Sequence, residues 1–269
     1  MTAHPTTPEP NASSTPEGPG STGLAGKTAL VTGATRGIGR AIAQRLGRDG
    51  ANVVVNYRAA RQGAADQADQ IVDEIARTGG RAVAAPGDVG RAADVAGLFD
   101  TAEREYGGVD ILVNNAAMFA GAPIEYLPEE VFDALVTTNL KSVYLTGQQA
   151  ASRLREQGRV INVSAGIPNG AVAFMGAYGA TKAGVEMLTR SLAHQLGPRK
   201  ITVNAIAPGP TDTEMLAEEA RAMVEQIIGS TPLGRLGLPT DLADVVALLA
   251  SDDARWITGQ VIGVNGGFE

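Results

Sequence analysis

The chain has no cysteine and only two histidines among its 269 residues. The absence of thiols excludes disulfide bonds, thiolate nucleophiles and cysteine-ligated zinc, and it is compatible with the reducing cytoplasm in which we expect the protein. His4 lies close to the N-terminus and His194 lies in a predicted helix. If the protein moves protons at neutral pH, a tyrosine whose pKa is adjusted by its neighbours is therefore a leading candidate.

Basic residues are also scarce, with 22 lysines and arginines against 29 aspartates and glutamates. The resulting net charge of −7 argues against nucleic acid as a partner, because neutralising phosphates requires a basic surface. No apolar run approaches the ~20 residues that span a bilayer, so we expect no membrane association. We assign no metal site.

The first 21 residues are rich in Pro, Thr, Ser, Gly and Glu. They have neither the basic start nor the apolar stretch of a signal peptide. Such a segment buries too little apolar area to offset the entropy lost on ordering. We therefore expect a disordered tail over residues 1–24 and one folded domain over residues 25–269.

Short apolar runs alternate with helical patterns from Lys27 onward. Most runs are continuously apolar, which indicates strands that are buried on both faces. The predicted strands are 28–32, 52–56, 82–85, 110–114, 159–163, 201–206 and 260–264. The alternation predicts the α/β class, as a single domain with a doubly wound, seven-stranded parallel sheet of Rossmann-like type.

A glycine-rich turn, T-G-A-T-R-G-I-G over residues 32–39, follows the first predicted strand and leads into a helix. Glycines let the backbone turn sharply and approach a pyrophosphate, while the helix N-terminus offers free N–H groups. The spacing differs from the commoner G-x-G-x-x-G. We predict a dinucleotide cofactor here, in contact with Gly33, Thr35, Arg36, Gly37, Ile38 and Gly39.

The end of the second predicted strand indicates which dinucleotide binds. A fold that selects NAD usually has an acidic residue there, which binds the ribose 2′-hydroxyl. No Asp or Glu occurs from Ala51 to Ala65, whereas Arg58 and Arg61 do, and Arg36 lies in the glycine turn. Arginines would bind a 2′-phosphate, so we favour NADP(H) over NAD(H). The alternative is that these arginines are solvated surface residues.

Tyr178 and Lys182 lie four residues apart in a predicted helix. This spacing puts the phenol and the ammonium group on one helical face. A free tyrosine has a pKa near ~10, and a neighbouring cation favours its phenolate. The pair is a candidate for proton transfer to or from a carbonyl oxygen.

These motifs occur in one order along residues 25–268, and the chain resembles a compact short-chain dehydrogenase/reductase, similar to 3-oxoacyl-[acyl-carrier-protein] reductases. The ordered set comprises Thr32-Gly33-x-x-x-Gly37-x-Gly39, Asp88-Val89, Asn114-Asn115-Ala116, Asn139, Tyr178-x-x-x-Lys182, Pro208-Gly209 and Ile257-Thr258-Gly259-Gln260. The resemblance implies hydride transfer between NADP(H) and a carbonyl or secondary alcohol. It also implies a homotetramer, with the helices of residues 128–155 and 175–196 at one interface and the last strand at a second.

The resemblance further implies a role for individual residues. Tyr178 is expected to be the general acid and base, Lys182 its electrostatic partner and a ribose ligand, and Asn139 the support of a proton-relay water. The expected cofactor contacts, besides those of the glycine turn, are Arg58, Asp88, Val89, Asn114, Tyr178, Lys182, Pro208, Gly209, Thr211 and Thr213.

Two residues depart from the family pattern. The substrate-orienting serine usually lies thirteen residues before the tyrosine, where this chain has Ala165. Either Ser164 takes that role because the following loop has one extra residue, or the hydroxyl is missing; we favour Ser164 as a catalytic residue. Ala117 lies where family members usually have glycine. If the backbone there has a positive φ, the alanine would add strain of roughly 1 kcal/mol.

Two functions of other classes remain open. Asn162-Val163-Ser164-Ala165-Gly166 resembles the nucleophile elbow of a serine hydrolase without its first glycine, although no histidine follows His194 to act as a base. The chain could also bind a nucleotide as a scaffold without turnover.

The substrate is not readable from the sequence. We expect the segments 168–177 and 212–237 to line its pocket, the second as a lid. The lid contains apolar residues at helical spacing, which suggests a medium-sized or hydrophobic carbonyl compound, although a helix that packs on the core would show the same pattern.

Overall fold

The computed structural model describes residues 23–167, 172–216 and 223–268. Its strands are β1 (Thr28–Val31), β2 (Asn52–Tyr57), β3 (Arg81–Pro86), β4 (Val109–Asn114), β5 (Leu154–Val163), β6 (Thr202–Pro208) and β7 (Val261–Val264). They form one seven-stranded sheet in the order β3-β2-β1-β4-β5-β6-β7, and every pair is parallel. The predicted fold class is confirmed.

Helices cover both faces of this sheet. They are α1 (Gly37–Arg48), α2 (Ala64–Arg77), α3 (Ala92–Tyr106), α4 (Glu129–Leu135), α5 (Ser142–Arg153), α6 (Val172–Leu196), α7 (Val224–Ser230) and α8 (Pro239–Ala250). One core contains buried side chains of α1, α2 and α8, and the other those of α3, α5 and α6. Continuous burial of the central strands on both faces explains why they are apolar throughout.

The strand order reverses at β1, which pairs with β2 on one side and β4 on the other, so that Val31 lies opposite Val55 and Val113. In doubly wound sheets the crevice beyond the carboxyl ends of the strands at this point binds ligands. The glycine turn after β1 and Asn114 at the end of β4 both lie at this crevice. The fold therefore positions the candidate site here.

Two predicted boundaries differ from the structure. β5 begins at Leu154, five residues before the predicted start. The prediction missed this part of the strand because Arg155, Glu156 and Gln157 are polar and partly or fully exposed, and so interrupt the apolar run. Leu24, predicted to lie in the tail, is 1% exposed and belongs to a core cluster, so the fold begins before residue 25.

Parts of three predicted segments lie outside the described residues: 1–22 of the tail, 168–171 of the pocket and 217–222 of the lid. Within the described part of the lid, α7 is a helix of seven residues. None of the described helices has the length and apolar character required to cross a membrane.

Candidate active site

The glycine turn has no room for side chains at two of its glycines. Gly33 has a φ of +60°, and a Cβ there would lie 2.9 Å from the Cα of Ala116. A Cβ at Gly39 would overlap the carbonyl oxygen of Gly33 and the side-chain amide nitrogen, Nδ2, of Asn115. The turn therefore brings the start of α1 into close contact with the ends of β1 and β4, which only glycine permits.

The first turn of α1 is open to an anion. The helix begins at Gly37, its N-cap residue Arg36 makes no side-chain capping bond, and the first turn contains no acidic residue. Free N–H groups and the positive end of the helix dipole therefore remain available, as a pyrophosphate requires. The turn thus fits the phosphate part of a dinucleotide.

The loop after β6 approaches this turn. The Cγ2 atom of Thr213 lies 3.3 Å from where a Cβ of Gly37 would be. The Thr211 hydroxyl donates to the carbonyl of Gly209 at 2.9 Å, and the Thr213 hydroxyl donates to Thr211 at 3.3 Å. The structure therefore brings together the glycine turn and the segment that begins at Pro208-Gly209.

The predicted adenosine end lies beyond β2 and β3. Arg58 forms an ion pair with Asp88, with 3.3 Å between Nε and Oδ2. Asp88 also accepts a 2.9 Å bond from the backbone N–H of Gly90, while the neighbouring Val89 is buried in the core. Arg61 donates to the Thr35 hydroxyl at 3.1 Å.

Three arginines lie in or near the glycine turn and the end of β2. Arg36 is exposed, the side chain of Arg58 is 66% exposed, and Arg61 reaches the glycine turn through Thr35. Arg58, paired with Asp88, and Arg61, bonded to Thr35, thus both have partners at the carboxyl edge of the sheet. An additional phosphate on the ribose would find guanidinium groups there.

Tyr178 and Lys182 are both buried on α6, at 7% and 3% exposure. The ammonium nitrogen of Lys182 lies 5.7 Å from the centroid of the Tyr178 ring and donates a 2.8 Å hydrogen bond to the carbonyl of Val163. Burial raises the pKa of Tyr178 to about 12 and lowers the pKa of Lys182 to about 8. In the protein alone the tyrosine is therefore protonated, contrary to the expected lowering of its pKa by the lysine.

Asn139 connects α6 to the segment after β4. It lies in a π-helical turn, Val136–Lys141, between α4 and α5. Its amide oxygen accepts from the N–H of Met118, and its nitrogen donates to the Met118 carbonyl and the Thr181 hydroxyl, over distances of 2.9 to 3.2 Å. The Thr181 hydroxyl in turn donates to the carbonyl of Tyr178. Asn139 thus holds the Met118 backbone directly and the Tyr178 carbonyl through Thr181.

The Ser164 hydroxyl is directed elsewhere. It is 2% exposed and donates a 2.8 Å hydrogen bond to the carboxylate of Glu186, with a longer 3.5 Å contact to the carbonyl of Lys182. Glu186 lies two helical turns beyond Tyr178, about 12 Å along the axis of α6. In the part of the chain that the structure describes, the hydrogen bonds of the Ser164 hydroxyl thus involve Glu186 and Lys182 and not Tyr178, contrary to the expectation for Ser164.

The hydrolase alternative finds no support in these contacts. The hydrogen-bond partner of Ser164 is a carboxylate, and His194 lies in the last turn of α6.

Among the described residues, no group of three or more potential metal ligands occurs. Ala117 does not have a positive φ, so the strain considered for it does not arise.

Sequence reasoning missed several residues of this site. Asn114 donates to Asn162, which donates to Thr189, each at 2.8 Å, so that Asn114 is tied to β5 and α6. Phe119 packs against Tyr178 with 5.1 Å between ring centroids. Asn162 could have been identified from the sequence, because it is a polar residue in an otherwise apolar strand. For Phe119 the sequence offered only its position in the segment after β4.

Known proteins resemble this chain over most of its length. The family model described as "Enoyl-(Acyl carrier protein) reductase" matches residues 33–269. A hydroxynaphthalene reductase-like protein, Arp2 of Metarhizium brunneum, is 41% identical, over 91% of this chain and 95% of the relative.

Solved structures agree with the family match. The angucycline C-6 ketoreductase LanV with bound NADP has a TM-score of 0.83 at 40% identity, over 91% of this chain and 96% of LanV. The promiscuous reductase LugOII has a TM-score of 0.83 at 41% identity, over 91% and 98% of the two chains. A further LanV structure contains NADP and rabelomycin. With its glycine turn, parallel sheet and Tyr–Lys helix, this chain belongs to the short-chain dehydrogenase/reductase family of oxidoreductases.

Proposed function

We propose that the protein is an NADPH-dependent ketoreductase in which Tyr178 is the general acid, assisted by Lys182. The observation that carries the proposal is the burial of this pair on α6, next to the carboxyl ends of the strands where the glycine turn lies. The nicotinamide cofactor supplies the hydride when it is bound. The chain supplies the proton and the surrounding charge.

Tyr178 donates its phenolic proton to the carbonyl oxygen of the substrate. Its pKa of about 12 keeps it protonated throughout the neutral range, as an acid must be before the transfer. The phenolate that forms is then stabilised by the nearby ammonium of Lys182, which is itself held by Val163. Asn139 holds the backbone of Met118 directly and the backbone carbonyl of Tyr178 through the Thr181 hydroxyl.

The preference for NADPH is proposed from the arginines and from the relatives. No acidic residue lies between Ala51 and Ala65, and Arg36, Arg58 and Arg61 are grouped around the end of β2 and the glycine turn. The solved structure of LanV contains NADP. We therefore assign the glycine turn, Arg58, Asp88 and the 208–213 segment to NADP(H) binding.

The proposed substrate is an apolar ketone. Phe119, Met215 and Met223 are 41%, 42% and 52% exposed, and all lie in segments after β4 or β6, where function concentrates in this fold. Related proteins are named as reductases of hydroxynaphthalene and angucycline compounds, and LanV was solved with rabelomycin. Exposed large apolar side chains in these segments, with Phe119 in contact with Tyr178, are suited to a hydrophobic ring system.

Ser164 is proposed to be a structural residue, in contrast to the role expected from the sequence. Its only hydroxyl proton is used in the bond to Glu186, and the residue at the usual serine position is Ala165. The substrate carbonyl would then be held mainly by Tyr178. This arrangement favours ketones that are reactive or well positioned by their ring contacts.

We also propose the cytoplasmic homotetramer implied by the family resemblance. Supporting it, exposed apolar side chains occur on the two segments expected at an interface, 128–155 and 175–196: Phe132 and Tyr144 on the first and Met187 on the second. Light scattering of the full chain would test it.

Measured turnover tests the proposal. Oxidation of NADPH is followed with a panel of activated aryl and alkyl ketones, for the natural chain and for Tyr178→Phe. We expect kcat to fall roughly 10²- to 10⁴-fold in the variant, because general acid catalysis is lost. Binding of NADPH, read by its fluorescence enhancement, should remain. A chain that binds NADPH and consumes it with no ketone would instead be the nucleotide-binding scaffold.

A further inference from the structure

Phe119 is the aromatic residue in contact with the proposed catalytic tyrosine. The two rings are T-shaped, with centroids 5.1 Å apart and planes at 74°. Tyr178 is 7% exposed, whereas Phe119 is 41% exposed. The phenylalanine therefore covers the tyrosine on one side and leaves part of its own ring accessible next to the phenol.

Two features of the structure support this contact. Met118, the preceding residue, is held by two hydrogen bonds of 2.9 Å between its backbone and the Asn139 amide. A Cβ at Gly121 would lie 3.0 Å from the Cζ atom of Phe119 and 3.3 Å from the carbonyl oxygen of Phe174. The Phe119 ring is thus fitted between Tyr178 and a glycine that leaves it space.

The supported position of the Phe119 ring favours the binding of a ligand against it. A side chain that is already fixed loses little conformational entropy when a ligand covers it. An exposed aromatic ring beside a reacting hydroxyl can accept a second ring in a stacked or edge-to-face arrangement, while it still contacts the first. The geometry thus places a preformed aromatic surface next to the position of the substrate carbonyl.

We propose that Phe119 is a specificity-determining residue whose exposed surface contacts the aromatic ring of an aryl ketone. The inference rests on the proposed ketoreductase function and narrows its substrate class, from apolar ketones in general to those with an aromatic ring next to the carbonyl. Phe119 also positions Tyr178, since its ring forms one side of the tyrosine's surroundings.

Two methyl ketones of similar size test the inference. Acetophenone carries an aromatic ring, and cyclohexyl methyl ketone carries a saturated one. The ratio of their kcat/KM values with NADPH is measured for the natural chain, for Phe119→Leu and for Phe119→Tyr. Phe132→Leu is the matched control, because Phe132 is 43% exposed and lies on α4.

The ratio of kcat/KM for acetophenone to kcat/KM for cyclohexyl methyl ketone should fall about 3- to 10-fold in Phe119→Leu, as expected for the loss of one aromatic pair. Most of this fall should come from a higher KM for acetophenone. Phe119→Tyr should retain the ratio, and Phe132→Leu should leave it unchanged. NADPH binding should be the same in all four proteins, which a general loss of structure would not allow.

Two other results would overturn the inference in different ways. If both ketones are reduced and Phe119→Leu leaves their ratio unchanged, or Phe132→Leu lowers it equally, Phe119 does not select the ring and the ketoreductase proposal stands. If the natural chain oxidises NADPH with neither these ketones nor any of the activated ketones of the panel, the proposed function fails, and the inference fails with it.

Discussion

The ammonium group of Lys182 donates a 2.8 Å hydrogen bond to the backbone carbonyl of Val163, at the end of β5. The lysine is 3% exposed, and burial lowers its pKa from 10.5 to about 8. This bond joins the helix that carries Tyr178 to the sheet. The burial of the ammonium group, which lowers its pKa, makes the stability of the protein dependent on pH.

Lys182→Met should change that dependence in a defined direction. Between pH 8 and 10.5 the unfolded chain holds a proton on Lys182 that the native protein has released, so the free energy of unfolding rises with pH in this window. The rise attributable to this group is at most about 1.4 kcal/mol per pH unit. Urea unfolding at pH 7.5, 8.5 and 9.5, at one protomer concentration, measures it.

In the methionine variant this rise should be absent, so its stability relative to the natural chain should decrease as the pH increases. Measurements stay below pH 10 because the raised pKa of Tyr178 has the opposite effect above it: there the unfolded chain loses its proton first, and stability falls. Lys141→Met, at an exposed position, is the control. Parallel pH profiles for the natural chain and Lys182→Met would contradict the prediction.

Ser164 and Ala165 should respond oppositely to substitution. Ser164→Ala should leave kcat within about twofold and lower stability by about 1.5–3 kcal/mol, because a buried hydrogen bond to the Glu186 carboxylate is lost. Ala165→Ser places a hydroxyl where family members usually have it, and should raise kcat on unactivated ketones. A large loss of kcat in Ser164→Ala, with unchanged stability, would return Ser164 to the active site.

Much of the fold was predictable because its physical cause is local. Continuous apolar runs predicted β2 and β4 to within one residue at each end, since strands buried on both faces need such runs. The start of β5 was missed because Arg155, Glu156 and Gln157, which follow the buried Leu154, are polar and at least partly exposed, so that no continuous apolar run marks them. Leu24 was missed since a single buried leucine beside a polar segment has no periodicity.

The site was predictable in its location but not in its contacts. Arg58 and Asp88 could both be expected at the carboxyl edge, since β2 and β3 are neighbours. Their ion pair joins residues 30 positions apart in the sequence, and the Ser164 hydroxyl bonds to Glu186, 22 positions away. Both contacts depend on how the side chains pack in the folded protein. Spacing within one helix, as for Tyr178 and Lys182, is reliable because the helix itself fixes it.

Replacing Arg36 and Arg58 by alanine should weaken NADPH binding and leave NADH binding nearly unchanged. Each lost charge-assisted contact to a 2′-phosphate is worth about 1.5–3 kcal/mol, and loss of Arg58 also leaves the Asp88 carboxylate unpaired near that phosphate. Dissociation constants for both cofactors measure the effect. Arg104→Ala, whose ion pair is with Glu105 on α3, is the control. Equal changes for NADPH and NADH would contradict the assignment.

Gly39→Ala should damage both stability and cofactor binding. Its new Cβ would overlap the Gly33 carbonyl and the Asn115 side chain, so α1 must move away from the glycine turn. Overpacking of this kind costs about 1–3 kcal/mol, and the displaced N–H groups should no longer fit the pyrophosphate.

The matched control is Gly97→Ala in α3, where a Cβ would meet nothing within 4 Å. That substitution should stabilise the protein by about 0.4–1 kcal/mol, because alanine is the better helix residue and restricts the unfolded chain. Thermal unfolding with and without NADPH separates the two variants: NADPH should raise the Tm of Gly97→Ala as it does for the natural chain, and should raise that of Gly39→Ala much less. An equal NADPH-induced shift in both would show that the close approach at Gly39 does not form the phosphate site.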